Sequence, residues 1–327
     1  MDTEQFSRYT SNFAFLATCN LQPESCNNNK TTPMKLEGKE GSKNIDDRRG
    51  NRGGMSGRTK TAGGFGLGTL IIVIIVMLMG GDPSEYLGAS SGTAAPSPQT
   101  SAPAQDLEQD TEEFQIVSKT LRDNEKIWGQ LFPQLYNRQY KEPVLVVFEG
   151  QDRSACGFAS AATGPFYCPA DQKVYIDLQF ADLLRQRFRA PGDFALAYVV
   201  AHEVAHHIQN QLGYSQQVSQ VRQRGSESQA NAASVRLELQ ADYLAGVWAH
   251  YADQYSDLLE DGDIREALVA ASAIGDDAIQ KQSQGYVVPD SFTHGTSEQR
   301  VKYFTAGYKS GDAKKETLDY FFSARDL

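Results

Sequence analysis

The chain has 327 residues, of which 40% are hydrophobic and 22% charged, and its formal net charge is −10. This composition supports at least one sizeable core and excludes a wholly disordered or collagen-like chain. The acidic balance argues against a nucleic-acid-binding protein, and four Cys are too few for a disulfide-dense mini-protein.

The N-terminal third changes composition several times along the chain. An Asn-rich leader with little charge comes first, and Met34 then opens a charged stretch and is itself a candidate start of the protein. A Pro-, Ser- and Ala-rich stretch later reads as a flexible linker. These shifts predict a leader, a basic Gly-rich segment, an apolar segment, a linker and a globular domain at residues 1–33, 34–63, 64–81, 82–106 and 107–327.

The apolar segment contains a ten-residue run at 70–79 and predicts one transmembrane helix near the lower length limit. Residues 34–69 carry eight Lys/Arg and four Asp/Glu, whereas residues 82–113 carry seven acidic and no basic residues. The positive-inside rule therefore places the N-terminus in the cytoplasm and the domain beyond the bacterial inner membrane, in the periplasm. A signal-peptide core is the alternative, and a buried helix of a soluble core is a weaker one.

The domain has an α+β pattern that is mainly helical with a small sheet. Apolar periodicity and turn residues predict that a Pro-Gly-Asp turn precedes the third helix and that Gly213 ends it. The strand at 173–178 is either an edge strand that pairs with a substrate or an interior strand. The predicted helices are at 111–131, 180–188, 194–212, 230–255 and 264–284, and the predicted strands at 144–148 and 173–178.

The third predicted helix carries a candidate metal site. His202 and His206 are four residues apart, so both imidazoles lie on one helical face and can bind one Zn²⁺ ion per chain. Glu203 is rotated by about a quarter turn, where it can hydrogen-bond a zinc-bound water as general base. A chance match and a purely structural zinc site are the alternatives.

A catalytic zinc site needs a third protein ligand, for which Glu238, His250 and His294 are candidates. Glu238 is preferred because Asp242 lies one turn later on the same predicted helix and can reach the outer ring nitrogen of a zinc-bound His. The alternative for Glu238 is an ordinary solvated carboxylate. His207 points about 100° away from His206, so we expect a partly exposed polar residue there.

These motifs resemble a known family. His202-Glu-Val-Ala-His206 followed by Glu238-Leu-Gln-Ala-Asp242 is similar to the gluzincin pattern HExxH plus ExxAD. More closely, the chain resembles the bacterial neutral zinc metallopeptidases of the YpfJ type, from Met34 to its end. The resemblance implies a zincin-like fold and a peptidase, without a defined substrate. Besides the zinc motifs, the segments that carry it are residues 34–38, 46–49, 156–177, 201–209 and 292–300.

The expected reaction is hydrolysis of a peptide bond in a protein or peptide substrate, with Glu203 passing a proton from water to the leaving amine. His294 is the candidate second donor to the oxyanion, its alternative being a surface loop residue, and Arg300 is a candidate partner for a carboxylate near the site. The competing functions are a catalytically silent, zinc-binding membrane adapter or chaperone-like protein, and a zinc hydrolase of another amide.

Two cysteines of the domain form a candidate disulfide. Cys156 and Cys168 are 12 residues apart, and outside the cytosol a bond between them is worth about 3 kcal/mol. Two free buried thiols are the alternative. A cysteine zinc site is not expected, because the chain has no CxxC pair.

Overall fold

The computed structural model describes residues 34–50, 111–160, 164–186, 188, 190 and 192–324. The predicted leader, the predicted transmembrane helix and the predicted linker lie outside the described residues. None of the helices in the described ranges combines the length and the hydropathy of a membrane-spanning segment.

The described strands form one mixed sheet of four and one hairpin. The sheet order is β1-β2-β6-β5, in which β1, β2 and β6 run parallel and β5 runs antiparallel to β6. The strand predicted at 173–178 is therefore an interior strand, and the suggestion that it is an edge was wrong. The strands are β1 (Ile45–Asp47), β2 (Val144–Phe148), β3 (Gln151–Ser154), β4 (Gly157–Ser160), β5 (Phe166–Cys168) and β6 (Lys173–Asp177).

Helices make up most of the described domain, so the predicted α+β class with a small sheet is confirmed. Side chains cap several of them; Thr111, for example, accepts a hydrogen bond from Phe114 N at the start of the first helix. The helices are α1 (Glu112–Tyr136), α2 (Phe180–Gln186), α3 (Asp193–Leu212), α4 (Tyr214–Arg224), α5 (Glu227–Tyr251), α6 (Asp263–Ala273), α7 (Asp276–Gln284), α8 (Ser297–Ser310) and α9 (Lys315–Ser323).

The single helix predicted at 264–284 is two helices, α6 and α7. The break lies at Gly275, whose backbone is extended (φ −69°, ψ 146°). A Cβ atom there would lie 2.3 Å from Ser297 N, so the start of α8 packs directly against the backbone of this turn. The hydrophobic periodicity continues across the break, which is why the sequence pattern did not reveal it.

Helix α3 lies in the centre of the core and is apolar on nearly all sides. Sixteen of its 20 residues are buried, and the Phe194 ring stacks on Trp248 of α5 with centroids 5.7 Å apart. Gly213 ends the helix with φ 95°, a conformation that glycine adopts without strain. A central, rigid helix is a suitable support for a site that requires fixed geometry.

Helices α5 and α8 approach each other at two glycines. A Cβ atom on Gly246 would lie 2.1 Å from Phe304 O, and one on Gly307 would lie 1.9 Å from Tyr243 O. The absence of these two side chains permits backbone contact between the helices. It also brings Arg300 of α8 onto the face of α5 that carries the candidate metal ligand.

Residues 34–50 are part of the same folded unit as the domain. Ile45 of β1 is in register with Leu145 of β2, and the side chain of Met34 is 4% exposed within the main core. Arg49 lies over the ring of Phe114, 4.2 Å from its centroid. The described part of the basic segment therefore completes the sheet and core of the domain.

Candidate metal centre

The structure brings His202, His206 and Glu238 together. Consecutive turns of α3 carry the two imidazoles, and α5 carries the carboxylate opposite them. Glu238 Oε2 lies 3.2 Å from His202 Nε2 and 3.5 Å from His206 Nε2. One atom of each group lies within 4.8 Å of the others.

These separations fit a tetrahedral zinc ion. Ligand bonds of about 2.05 Å place the ligand atoms of a tetrahedron about 3.3 Å apart, which matches both measured nitrogen–oxygen distances. Two imidazoles and one carboxylate are also a ligand set of catalytic zinc sites, in which the fourth position stays open for water. The geometry and the donor chemistry of the three residues thus both suit Zn²⁺.

A buried network lies behind His202. Asp242, one turn after Glu238, places Oδ1 2.9 Å from His202 Nδ1, although the two groups are not aligned as a hydrogen bond. Arg300 donates to Asp242 from Nε (2.8 Å) and from Nη2 (3.0 Å). Tyr198 also donates its hydroxyl proton to Asp242, over 2.6 Å. Asp242 therefore orients His202 while Arg300 balances its charge.

The tautomer of His206 is set by Gln209, a residue to which the sequence analysis gave no role. Gln209 Oε1 lies 2.7 Å from His206 Nδ1, so Nδ1 carries the proton and Nε2 is left to face Glu238. The amide of Gln209 is fixed by its Nε2, which donates to Leu237 O (2.6 Å) and to Gln240 Oε1 (3.0 Å). The spacing of three residues after His206 was the available sequence signal.

The electrostatics of the centre favour ionised carboxylates. Burial alone would raise the pKa of Glu238, but the charges and hydrogen bonds of the two imidazoles outweigh it and hold the pKa well below its ordinary value. Burial would likewise raise the pKa of Asp242, but Arg300 and His202 lower it to about 2. Both groups can therefore act as anions at neutral pH, as metal binding requires.

Glu203 lies next to the pair on α3, and its side chain makes no hydrogen bond within the described ranges. The residue is 8% exposed, and its carboxylate oxygens are not among the buried atoms that lack partners. The carboxylate is thus accessible to a water molecule and is not engaged by the protein.

His294 lies in the loop before α8, close enough to Glu238 for their charges to interact. Its Nδ1 is 3.1 Å from Asp276 Oδ1, and Asp276 Oδ2 accepts the backbone N–H groups of Thr293, His294 and Gly295 at 2.6–3.0 Å. Burial lowers the pKa of His294, but Asp276 and Glu238 outweigh it and raise the pKa above its ordinary value. Asp276, which the sequence analysis missed, therefore shapes this loop and holds the imidazole.

The two remaining histidines of the chain contact other parts of the fold. His207 is 1% exposed, not partly exposed as expected, because α3 is covered on that side too. Its ring contacts Lys141 O (2.6 Å) and the Tyr167 hydroxyl (3.1 Å), and burial lowers its pKa to about 4. His250 lies three turns beyond Glu238 on α5, where its Nδ1 contacts Tyr308 O at 2.8 Å.

A cation that the sequence did not single out also borders the centre. Arg222 of α4 donates from Nη2 to Ser234 Oγ at 2.6 Å, one turn before Glu238 on α5. Burial lowers the pKa of Arg222 to about 10, and the charge of Glu238 opposes this decrease. Arg222 has no carboxylate within 4.0 Å in the described part of the chain, so its guanidinium remains available to an anionic or carbonyl group.

Cys156 and Cys168 form a disulfide in the structure. It connects the turn of the β3–β4 hairpin to β5 at the edge of the main sheet. Cys156 is exposed and Cys168 is buried.

Comparison with known proteins identifies relatives over most of the chain. The sequence profile of a family described as "Putative neutral zinc metallopeptidase" matches residues 34–318. The uncharacterized protein YpfJ of Escherichia coli K12 is 44% identical over 283 residues, which cover 85% of this chain and 96% of YpfJ. The uncharacterized protein Rv2575 of Mycobacterium tuberculosis H37Rv is 43% identical over 211 residues, which cover 62% of this chain and 68% of Rv2575. No solved structure matches the chain.

Proposed function

Because the chain belongs to the neutral zinc metallopeptidase family, we propose that it is a zinc-dependent hydrolase that cleaves peptide bonds. The observation that carries the proposal is the convergence of His202, His206 and Glu238 next to Glu203, a carboxylate with no protein partner in the described ranges. A purely structural zinc site would leave Glu203 without a role.

His202, His206 and Glu238 would hold the zinc ion, which supplies a Lewis acid and lowers the pKa of a bound water. Glu203 accepts the proton of the attacking water and delivers it to the leaving amine. Asp242 and Gln209 do not take part in the proton transfer; they fix the orientation of the two imidazoles that would hold the zinc ion.

Two cationic groups are suited to stabilise negative charge on the substrate. The Nδ1 atom of His294 faces Asp276, so Nε2 is the ring nitrogen that can donate to an oxyanion. Arg222 is the second such group, since its guanidinium uses one protein acceptor in the described ranges. We assign His294 to the oxyanion and Arg222 to a carbonyl or carboxylate of the bound chain.

The free edge of β5 is suited to bind an extended substrate. Among the strands of the described residues, β5 pairs with β6 and with no other, and Tyr167 contacts His207 and Asn210 of α3. An extended peptide added to this edge would run alongside the helix that carries the histidines. This feature favours peptides over other amides as the substrate class.

For localisation we propose an oxidising compartment outside the cytoplasm, which the disulfide between Cys156 and Cys168 supports. Strand pairing between β1 and β2 supports placing residues 34–50 in the same compartment as the domain. A single crossing between Gly50 and Thr111 would separate the two paired strands. We therefore propose a topology that differs from a single span. The chain associates with the membrane through residues 70–79, and the segments before and after these residues lie on the same side of it.

The test is cleavage of casein and of a peptide library by the full-length protein, with and without a chelator. We expect chelator-sensitive cleavage, lost in Glu203→Gln although that variant retains one zinc per chain by elemental analysis. Glu227→Gln, an exposed glutamate of α5, is the matched control and should remain active. Cleavage by Glu203→Gln would contradict the mechanism. A wild-type protein that binds zinc but cleaves nothing would favour the alternative function, a catalytically silent zinc-binding adapter.

A further inference from the structure

A second group of acidic side chains lies at the start of α3, away from the metal centre. Asp193 is the first residue of α3, and Asp263 and Glu266 lie on the first turn of α6. One carboxylate oxygen of each lies within 4.8 Å of the others. Asp263 is 1% exposed and Glu266 is 6% exposed. We call these three residues the carboxylate cluster.

Asp263 has no neighbouring cation among the described residues. Its Oδ2 accepts the Glu260 N–H at 2.8 Å, whereas its Oδ1 is buried without a hydrogen-bond partner. Among the described residues, no Lys, Arg or His nitrogen lies within 4.0 Å of Asp263. Burial and the nearby charge of Asp193 raise the pKa of Asp263 to about 7, although the Glu260 N–H opposes this. A buried carboxylate of this kind is costly unless it is paired.

The backbone nitrogen of Met34 is directed at the carboxylate cluster. The backbone N of Met34 lies 2.6 Å from Asp193 Oδ2. Its position is fixed on both sides, because the Met34 side chain is buried in the main core and the next N–H, of Lys35, donates to Leu258 O at 3.0 Å. As a peptide nitrogen it offers one N–H and no charge.

We propose that the carboxylate cluster binds the α-ammonium group of Met34, in a protein whose translation begins at that residue. An α-amino group has an ordinary pKa of about 7.7–8.0, so at neutral pH it is an ammonium with three N–H donors. It would place a positive charge against Asp193, whose carboxylate has an oxygen within 4.8 Å of an oxygen of Asp263 and of Glu266. No bond has to be broken, because initiation at the Met34 codon produces the group directly.

The comparisons agree with this start. The family match begins at residue 34, and the similarity to YpfJ already covers 96% of that protein within 283 residues. Met34 is also the residue type with which translation begins.

The ammonium group would connect the N-terminal segment to the helix that carries the histidine pair. Asp193 Oδ1 and Glu266 Oε2 accept the Phe194 N–H at 2.9 and 3.2 Å, so the carboxylate cluster already caps the start of α3. The charge of the ammonium would hold these carboxylates in their ionised, capping state. This inference is independent of peptidase activity.

The experiment expresses the reading frame with its own upstream DNA and a C-terminal tag, and determines the N-terminus of the purified protein by mass spectrometry. The folded protein and the unfolded chain are then each treated with an amine-acetylating reagent, and their labelling rates are compared. We expect an N-terminus at Met34, and an α-amine that reacts at least about tenfold more slowly in the folded protein than in the unfolded chain. Asp263→Asn should accelerate labelling of the folded protein, whereas Asp290→Asn, at an exposed position, should not.

Three results would overturn the proposal. The first is a folded protein that retains residues 1–33. The second is a Met34 α-amine that reacts in the folded protein as fast as exposed lysines do. The third is a stoichiometric Ca²⁺ ion that Asp263→Asn removes, because the carboxylate cluster would then hold a metal instead. The labelling of the wild-type protein decides the matter even if Asp263→Asn does not fold.

Discussion

Asp242→Asn is the substitution for which the structure allows the sharpest stability prediction. Asp242 is fully buried and accepts two hydrogen bonds from Arg300 and one from Tyr198. The asparagine has nearly the same shape, but its amide group carries no charge and can accept at only one atom. Arg300, 3% exposed, would keep its positive charge without a counterion.

Breaking a buried ion pair on one side costs about 3–5 kcal/mol of unfolding free energy. For a domain of this size each kcal/mol shifts Tm by about 2–4 °C, so we expect Tm to fall by about 6–20 °C. The pKa of Asp242 is lowered to about 2 in the folded protein, below its ordinary value of 3.8. A lowered carboxylate pKa contributes stability that is present above the ordinary pKa and lost as pH falls toward 2. The contribution of the Asp242 carboxylate itself to the difference between wild type and variant should therefore be fully present above about pH 5 and decrease as the pH falls toward 2.

The assay is thermal unfolding followed by circular dichroism, with Asp257→Asn as the control because the side chain of Asp257 is 81% exposed. Combining Asp242→Asn with Arg300→Met removes the uncompensated charge and should recover part of the loss. An Asp242→Asn protein whose Tm stays within about 2 °C of the control would refute the reasoning, since that shift corresponds to less than about 1 kcal/mol. Zinc affinity should fall by about 10–100-fold in the same variant, because Asp242 no longer orients His202.

Three further perturbations test other parts of the structure. Removing the metal with a chelator should lower Tm, because zinc at 100 times its Kd stabilises the folded state by about 2.7 kcal/mol; a Tm independent of zinc would contradict the site. Cys156→Ser should cost about 2–4 kcal/mol of unfolding free energy, and a reductant should reproduce the loss in the wild type but leave the variant unchanged. Gly307→Ala should lower the free energy of unfolding by about 1–3 kcal/mol, because the new Cβ would meet Tyr243 O at 1.9 Å. Gly129→Ala, in open space on α1, should instead raise it by about 0.5–1 kcal/mol. Equal effects of the two substitutions on Tm would refute the close packing of α5 and α8.

The parts of the centre that depend on one helix could be predicted from the sequence. His202 and His206 share a face because the helical period is 3.6, and Asp242 lies one turn after Glu238 for the same reason. The pairing of these two helices was inferred from the chemistry of zinc, which needs a third ligand. Local periodicity and ligand chemistry together were therefore sufficient to select the residues that the structure brings together.

Contacts between distant segments could not be predicted in this way. The sequence suggested that Arg300 pairs with a carboxylate near the site, but it did not identify that carboxylate as Asp242. The two residues are 58 positions apart and meet because α8 crosses α5 at two glycines, a contact that leaves no periodic signal. Asp276 shapes the loop of His294 because the predicted helix at 264–284 is interrupted at Gly275. In both cases the deciding interaction is tertiary, and the local sequence pattern does not reveal it.

The N-terminal segment shows the same limit for topology. The charge count along the chain placed residues 34–63 in a different compartment from the domain, because the positive-inside rule takes no account of tertiary contacts. Strand β1 instead pairs with β2 across 100 residues of sequence, and Met34 fills a place in the core. Such an arrangement can form only where both segments are present together. The fold therefore constrains the compartment of the N-terminal segment more strongly than the charge pattern does, and it links that segment directly to the start of the helix that carries His202 and His206.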